Sequence, residues 1–179
     1  MEGPRQRRAA DRGERRRGRG GAVFPVFASR QVGQVAFTRQ VTVRFDEIDR
    51  AGIVYFAHVL KYCHWTYEEL MRELGGGAPL EEFFATSRWG MPLVHAEADY
   101  QAPNRLGDVL DVTLAVERLG RASVRFGYRV ACAGELRARC RLVHAFVDLK
   151  RFSAIPVPAP FADGLQRLGL LPGGDPPAD

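Results

Sequence analysis

The chain has 179 residues, enough for one domain with a single core, and 46% of them are apolar, as in an ordinary folded protein. Its net charge of +5 suggests a nucleic-acid partner until the charge is located. Of the 26 basic and 21 acidic residues, eight and three lie in residues 1–21, which leaves 18 of each sign for the remainder. The basicity belongs to a tail, so the composition argues against nucleic-acid binding by the folded part. Nowhere does the chain approach the roughly 18 consecutive apolar residues of a membrane span.

Taken in order, the first segment, MEGPRQRRAADRGERRRGRGG, has too few apolar residues to build a core and is expected to be disordered. No apolar run follows its arginines, so no secretory signal is expected. Residues 1–30 are assigned to an Arg-rich extension, 31–170 to the folded domain and 171–179 to a flexible tail. From Val35 to Phe45 the apolar positions Val35, Phe37, Val41, Val43 and Phe45 alternate with polar ones, which predicts a strand ending at Asp46. Val59, Tyr62, Cys63, Thr66, Leu70 and Leu74 then recur at three- and four-residue steps. They predict a helix over 58–74, stopped by Gly75-Gly76-Gly77.

Residues 78–90, with Phe83 and Phe84, suit a loop or short helix. Four strands are expected next, over 92–102, 109–117, 123–131 and 136–149. Short turns at 119–121 and 133–134 imply antiparallel neighbours. A short helix over 161–168 precedes the Pro/Gly-rich end. One strand, one long helix and four more strands make an α+β fold: a five-stranded, mainly antiparallel sheet wrapped around one central helix. Such a sheet leaves an edge exposed, which favours a homo-oligomer. The three cysteines, Cys63, Cys132 and Cys140, are odd in number and widely spaced. They argue for reduced thiols in a cytoplasmic protein, with no disulfide framework and no zinc ribbon.

The chemistry concentrates in DEIDRAGIVYF, Asp46 to Phe56. Asp49 precedes a glycine by three residues and stands just before the long helix. A carboxylate beside a helix N-terminus provides a base or nucleophile together with free backbone N–H groups for a developing oxyanion. Those are the two parts needed for acyl hydrolysis.

Asp49-Arg50-Ala51-Gly52-Ile53-Val54-Tyr55-Phe56 resembles the signature of hotdog-fold acyl-CoA thioesterases of the 4-hydroxybenzoyl-CoA thioesterase family. A second block, Asp99-Tyr100-Gln101-Ala102-Pro103 followed by Gly107-Asp108-Val109-Leu110, is similar to that family's DYxAP…GDxL segment. The likeness spans residues 35–150, and Met91 to Pro103 with Val54 to Phe56 most resembles the subgroup acting on 1,4-dihydroxy-2-naphthoyl-CoA in quinone biosynthesis. The resemblance implies a hotdog fold and hydrolysis of an aromatic acyl-CoA to free acid and CoA. It places Asp49 on the catalytic aspartate and the Phe56 N–H where the thioester carbonyl binds. Many members carry a second aspartate two residues upstream. Here that position is Glu47, with Asp46 beside it, a departure that weakens a role for the upstream acid.

An aromatic acyl group would want aromatic walls, and Tyr55, His58 and His95 are the candidates for its pocket. Arg137, Arg139 and Arg141 project to one side of a predicted strand. They suit either a solvated sheet face or the phosphates of coenzyme A. No histidine pair has the spacing of a metal site, and no metal or cofactor is expected. The expected partners are the acyl-CoA substrate and further copies of the chain, dimer or tetramer, with neither nucleic acid nor membrane. The alternatives are hydrolysis of an aliphatic acyl-CoA or acyl-carrier-protein thioester, or non-catalytic acyl-CoA binding on the same fold.

Overall fold

The computed structural model describes residues 36–171. The expected Arg-rich extension (1–30), the first residues of the expected domain through 35, and residues 172–179 of the expected tail lie outside the described residues. In chain order the elements are β1 (Phe37–Thr42), α1 (Ala57–Leu74), α2 (Leu80–Thr86), β2 (Trp89–Gly90), β3 (Leu93–Tyr100), β4 (Val109–Leu119), β5 (Ser123–Cys132), β6 (Glu135–Ala145), β7 (Val147–Asp148), β8 (Ser153–Ala154) and α3 (Ala159–Arg167).

Five strands form one antiparallel sheet in the order β1-β4-β5-β6-β3. The alternation in the sequence sets its inner face. Val112, Leu114 and Val116 oppose Val130, Tyr128 and Phe126, and all six are buried. Helix α1 has 18 residues, about 27 Å at 1.5 Å per residue, and packs across β4, β1 and β6. It buries Val59, Tyr62, Cys63, Thr66, Tyr67, Leu70 and Met71 against the sheet. Each fully buried apolar side chain of this size contributes about 1.5–3 kcal/mol, so this face holds the helix in place. At its far end Arg167 of α3 donates to the Leu74 carbonyl at 2.9 Å, satisfying one of the orphan acceptors of the last turn. This is the α+β hotdog architecture expected from the sequence.

Most element ends fall within two residues of expectation, and two strands end well short of it. The first strand ends at Thr42 and is followed by a single 3-10 turn, Phe45–Glu47. Val43 still exchanges bonds with the Gly107-Asp108 turn (2.9 and 3.1 Å), but the Arg44 N–H is captured by the Glu47 carboxylate at 2.9 Å, which curls the chain out of the sheet. The predicted strand over 136–149 is broken at Phe146, whose N–H and carbonyl go to Ala122 and Ile155. Beyond it β7 joins a separate three-stranded sheet in the order β2-β7-β8.

Candidate active site

Residues 47–55 form a small hairpin that presents Asp49. The Glu47 carbonyl accepts the Tyr55 N–H at 2.9 Å, Ile48 bridges Val54, and the Asp49 N–H bonds the Ile53 carbonyl at 2.8 Å. The turn Asp49-Arg50-Ala51-Gly52 closes with Gly52 N–H to Asp49 carbonyl at 3.0 Å. Gly52 has φ +76°, which a side chain would strain, so the glycine three residues after Asp49 is a geometric requirement. One Asp49 carboxylate oxygen, Oδ1, accepts the Ala51 N–H at 2.7 Å. Its other oxygen has no hydrogen-bond partner among the described residues.

The hairpin runs directly into α1. Phe56 is the N-cap, in helical conformation (φ −51°, ψ −37°), with no side-chain cap and no acid in the first turn. The His58 and Val59 N–H groups turn back to Tyr55 and Phe56 at 2.9 and 3.2 Å. The Phe56 and Ala57 N–H groups have no acceptor among the described residues, as expected at the start of a helix. An uncapped first turn carries the positive end of the helix dipole and suits an oxyanion.

The second sequence block clasps the first. The Tyr100 hydroxyl donates to the Phe56 carbonyl at 3.0 Å, and the Val54 N–H bonds the Asn104 carbonyl at 2.9 Å. Thus the end of β3 fixes the position of the helix start. Tyr55 and Phe56 are about half exposed with ring centroids 4.6 Å apart, and the partly buried His58 ring lies 6.1 Å from Tyr55. Of the pocket candidates, Tyr55 and His58 therefore meet at the helix mouth.

His95 is elsewhere. It opposes Val143, and Glu97 opposes Arg141, on the sheet face turned away from α1. With Arg125, Arg141 and Val143, both line an open cavity of about 390 Å³. The structure does not bring His95 to the helix N-terminus within one chain.

Arg137, Arg139 and Arg141 share this outer face. Arg141 is committed: its Nε donates to Glu117 at 2.7 Å and its Nη1 to Glu97. Glu117 reaches it by lying over Gly127, where a Cβ would collide with the carboxylate. The Glu117 hydrogen bond, with the charge of Glu97, raises the Arg141 pKa against partial burial. Arg137 pairs with Glu135 at 3.3 Å and donates to the Pro103 carbonyl at 3.1 Å. Only Arg139 of the three has a guanidinium without a partner among the described residues.

Four residues of the site went unassigned in the sequence: Glu47, Tyr62, Tyr100 and Asn104. Glu47 is 1% exposed although it stands among charged neighbours. Its carboxylate takes hydrogen bonds from the Tyr62 hydroxyl (2.7 Å), the Arg44 N–H (2.9 Å) and Lys61 Nζ (3.4 Å). Burial alone would raise its pKa, but these three donors outweigh it and hold the carboxyl below the ordinary glutamate value. Burial, and then Glu47 itself, pushes the Tyr62 hydroxyl upward. No group of three His, Cys, Asp or Glu side chains among the described residues could hold a metal ion.

The model of the thioesterase-like superfamily matches residues 43–166, a span that contains the hairpin, the helix and every strand of the main sheet except β1. The chain belongs to the thioesterase-like superfamily. This thioesterase-like protein is 36% identical over 128 residues to the 1,4-dihydroxy-2-naphthoyl-CoA hydrolase of Synechococcus elongatus, covering 71% of the chain and 93% of the relative. It is 34% identical over 124 residues to the enzyme of the same name from Nostoc punctiforme, covering 69% and 82%. The solved 1,4-dihydroxy-2-naphthoyl-CoA thioesterase from Synechocystis superposes with a TM-score of 0.67 at 28% identity, over 74% of the thioesterase-like chain and 96% of its own.

Proposed function

We propose that this thioesterase-like protein is an acyl-CoA thioesterase that hydrolyses an aromatic acyl-CoA, of the 1,4-dihydroxy-2-naphthoyl-CoA or 4-hydroxybenzoyl-CoA type, to free acid and CoA. The observation that carries the proposal is the Asp49 carboxylate, held by one oxygen, on a hairpin that ends in an uncapped helix start. The names of the relatives support the substrate class.

The thioester carbonyl accepts the Phe56 N–H, which stabilises the negative charge that builds on its oxygen as the carbon is attacked. Asp49 either attacks the carbonyl carbon, expelling the CoA thiolate and leaving a mixed anhydride for water to cleave, or takes a proton from the attacking water. Trapping an acyl-aspartyl adduct by rapid quench selects the first route. Its absence under single-turnover conditions, with a solvent isotope effect on kcat, selects the second. Tyr55 and His58 wall the acyl group at the helix mouth. His95 reaches an acyl pocket only if another copy of the chain completes it. Arg139 is the arginine best placed to meet coenzyme A phosphates, because Arg137 and Arg141 already have acceptors.

The protein acts as a homo-oligomer. β3 is an edge strand that exposes Leu93 and Val94, at 51% and 60%, beside open backbone groups that a second copy can pair. Among the described residues no helix is long and apolar enough to cross a membrane. The free thiols Cys63, Cys132 and Cys140 support a cytoplasmic location.

Thiol release over a panel of acyl-CoAs and an acyl-carrier-protein thioester tests the proposal. Fastest turnover is expected with aromatic acyl groups on CoA. Faster release from aliphatic or carrier-protein thioesters would shift the substrate class, and no release from any would overturn the enzyme assignment.

A further inference from the structure

We infer that Glu47 is a positioning residue for catalysis: it locks the hairpin bearing Asp49 onto the helix whose N-terminus receives the carbonyl oxygen. The inference rests on the proposed thioesterase mechanism and adds to it a residue that touches neither substrate nor the reacting atoms.

Glu47 works through both its backbone and its side chain. Its carbonyl holds the Tyr55 N–H at 2.9 Å, forming the rung of the hairpin two residues from Asp49. Its carboxylate reaches into the core and ends on Tyr62 and Lys61, one to two turns into α1. Lys61 is held in turn over the Trp65 ring, 4.7 Å from its centroid. One residue thereby ties the strand that carries the carboxylate to the helix that carries the N–H donors. Neither end can shift without breaking a bond to a buried ion.

The energetics make this a stiff joint. A buried carboxylate that loses a donor bears a desolvation penalty that a surface acid would not. Tyr62 is 0% exposed, so no water replaces its hydroxyl as a donor without repacking the core. A shift of about 1 Å between Asp49 and the Phe56 N–H would cost about 100-fold in rate. Such a joint protects that distance.

Tyr62→Phe is the decisive variant, because it deletes one donor and leaves both the carboxylate and the ring in place. Two quantities are read: kcat and KM on an aromatic acyl-CoA, and amide hydrogen exchange at Ala51, Tyr55 and the sheet residue Phe126. The expected result is kcat lowered at least about tenfold with KM changed by less than about twofold. Exchange should rise at Ala51 and Tyr55 and stay unchanged at Phe126. Glu47→Gln, if it folds, should show the same pattern more strongly.

Wild-type kcat in Tyr62→Phe overturns the inference whether or not exchange rises. So does a lowered kcat with unchanged exchange at Ala51 and Tyr55, since the effect would then not pass through the hairpin. If the wild-type protein releases no thiol, the function proposal fails on that ground. The exchange measurement still decides whether Glu47 and Tyr62 hold the hairpin.

Discussion

Replacing Phe56 by proline removes a single N–H from the site and nothing else from the hydrogen-bond pattern of the described residues. Phe56 has φ −51°, within the range the proline ring fixes, and its N–H has no intramolecular acceptor to lose. The change also removes the ring, which is 57% exposed and lies tilted against Tyr55, so Phe56→Ala is the matched control. Relative to that control the proline should be neutral in stability or gain about 0.4–1 kcal/mol by restricting the unfolded chain. The catalytic effect should be far larger. Losing one oxyanion donor costs about 2.7–4 kcal/mol, so kcat of Phe56→Pro should lie about 100- to 1,000-fold below that of Phe56→Ala. Thiol-release kinetics and thermal melts on the two variants make the comparison. If both fold and their kcat values agree within about threefold, the Phe56 N–H does not hold the carbonyl.

Other expectations follow from the same structure. His144 is 5% exposed and stacked on Tyr67 at 4.9 Å; burial lowers its pKa, against the raising effect of its bond to the Met91 carbonyl. The neutral imidazole is thus favoured by folding. Its contribution is complete above an unfolded-state value of about 6.5 and is lost as pH falls through the lower folded value. Denaturant melts from pH 7.5 down to 5.5 should show this loss in the wild type and a shallower slope in His144→Phe; equal slopes would refute it. Glu47 also titrates low in the fold, but its loss begins only below about pH 5, which separates the two. Arg139→Ser should raise KM for the acyl-CoA but not for the acyl-pantetheine that lacks the nucleotide phosphates. Equal effects on both would remove Arg139 from the CoA site. Val94→Lys on the β3 edge should weaken self-association in sedimentation velocity, and an unchanged oligomer would place the interface elsewhere.

Local patterning made much of this protein legible. The face Val59, Tyr62, Cys63, Thr66 and Leu70 is read from helical spacing, and the inner sheet face from alternation in β4 and β5. Asp49 and Gly52 could be picked out because a carboxylate and a turn glycine lie three residues apart in sequence. What escaped was set by partners distant in the chain. Glu47 beside Asp46 looks like a solvated acid, and only Tyr62, fifteen residues on, makes it a buried anchor. Arg141 looks free until Glu97 and Glu117 arrive from other strands. The break at Phe146 has no local cue, since Ala145, Phe146 and Val147 read as one apolar run. It arises because β2 and β8 claim β7.

The central claim is that Asp49 performs the chemistry, and kcat of Asp49→Asn on the best aromatic acyl-CoA tests it most directly. The amide keeps the shape of the side chain and an oxygen for the Ala51 N–H, so the hairpin should fold unchanged. It can neither attack a carbonyl nor take up a proton. Turnover should fall to the level of the buffer reaction while the melting temperature stays near wild type. Turnover within about tenfold of wild type in a folded Asp49→Asn protein would contradict the mechanism.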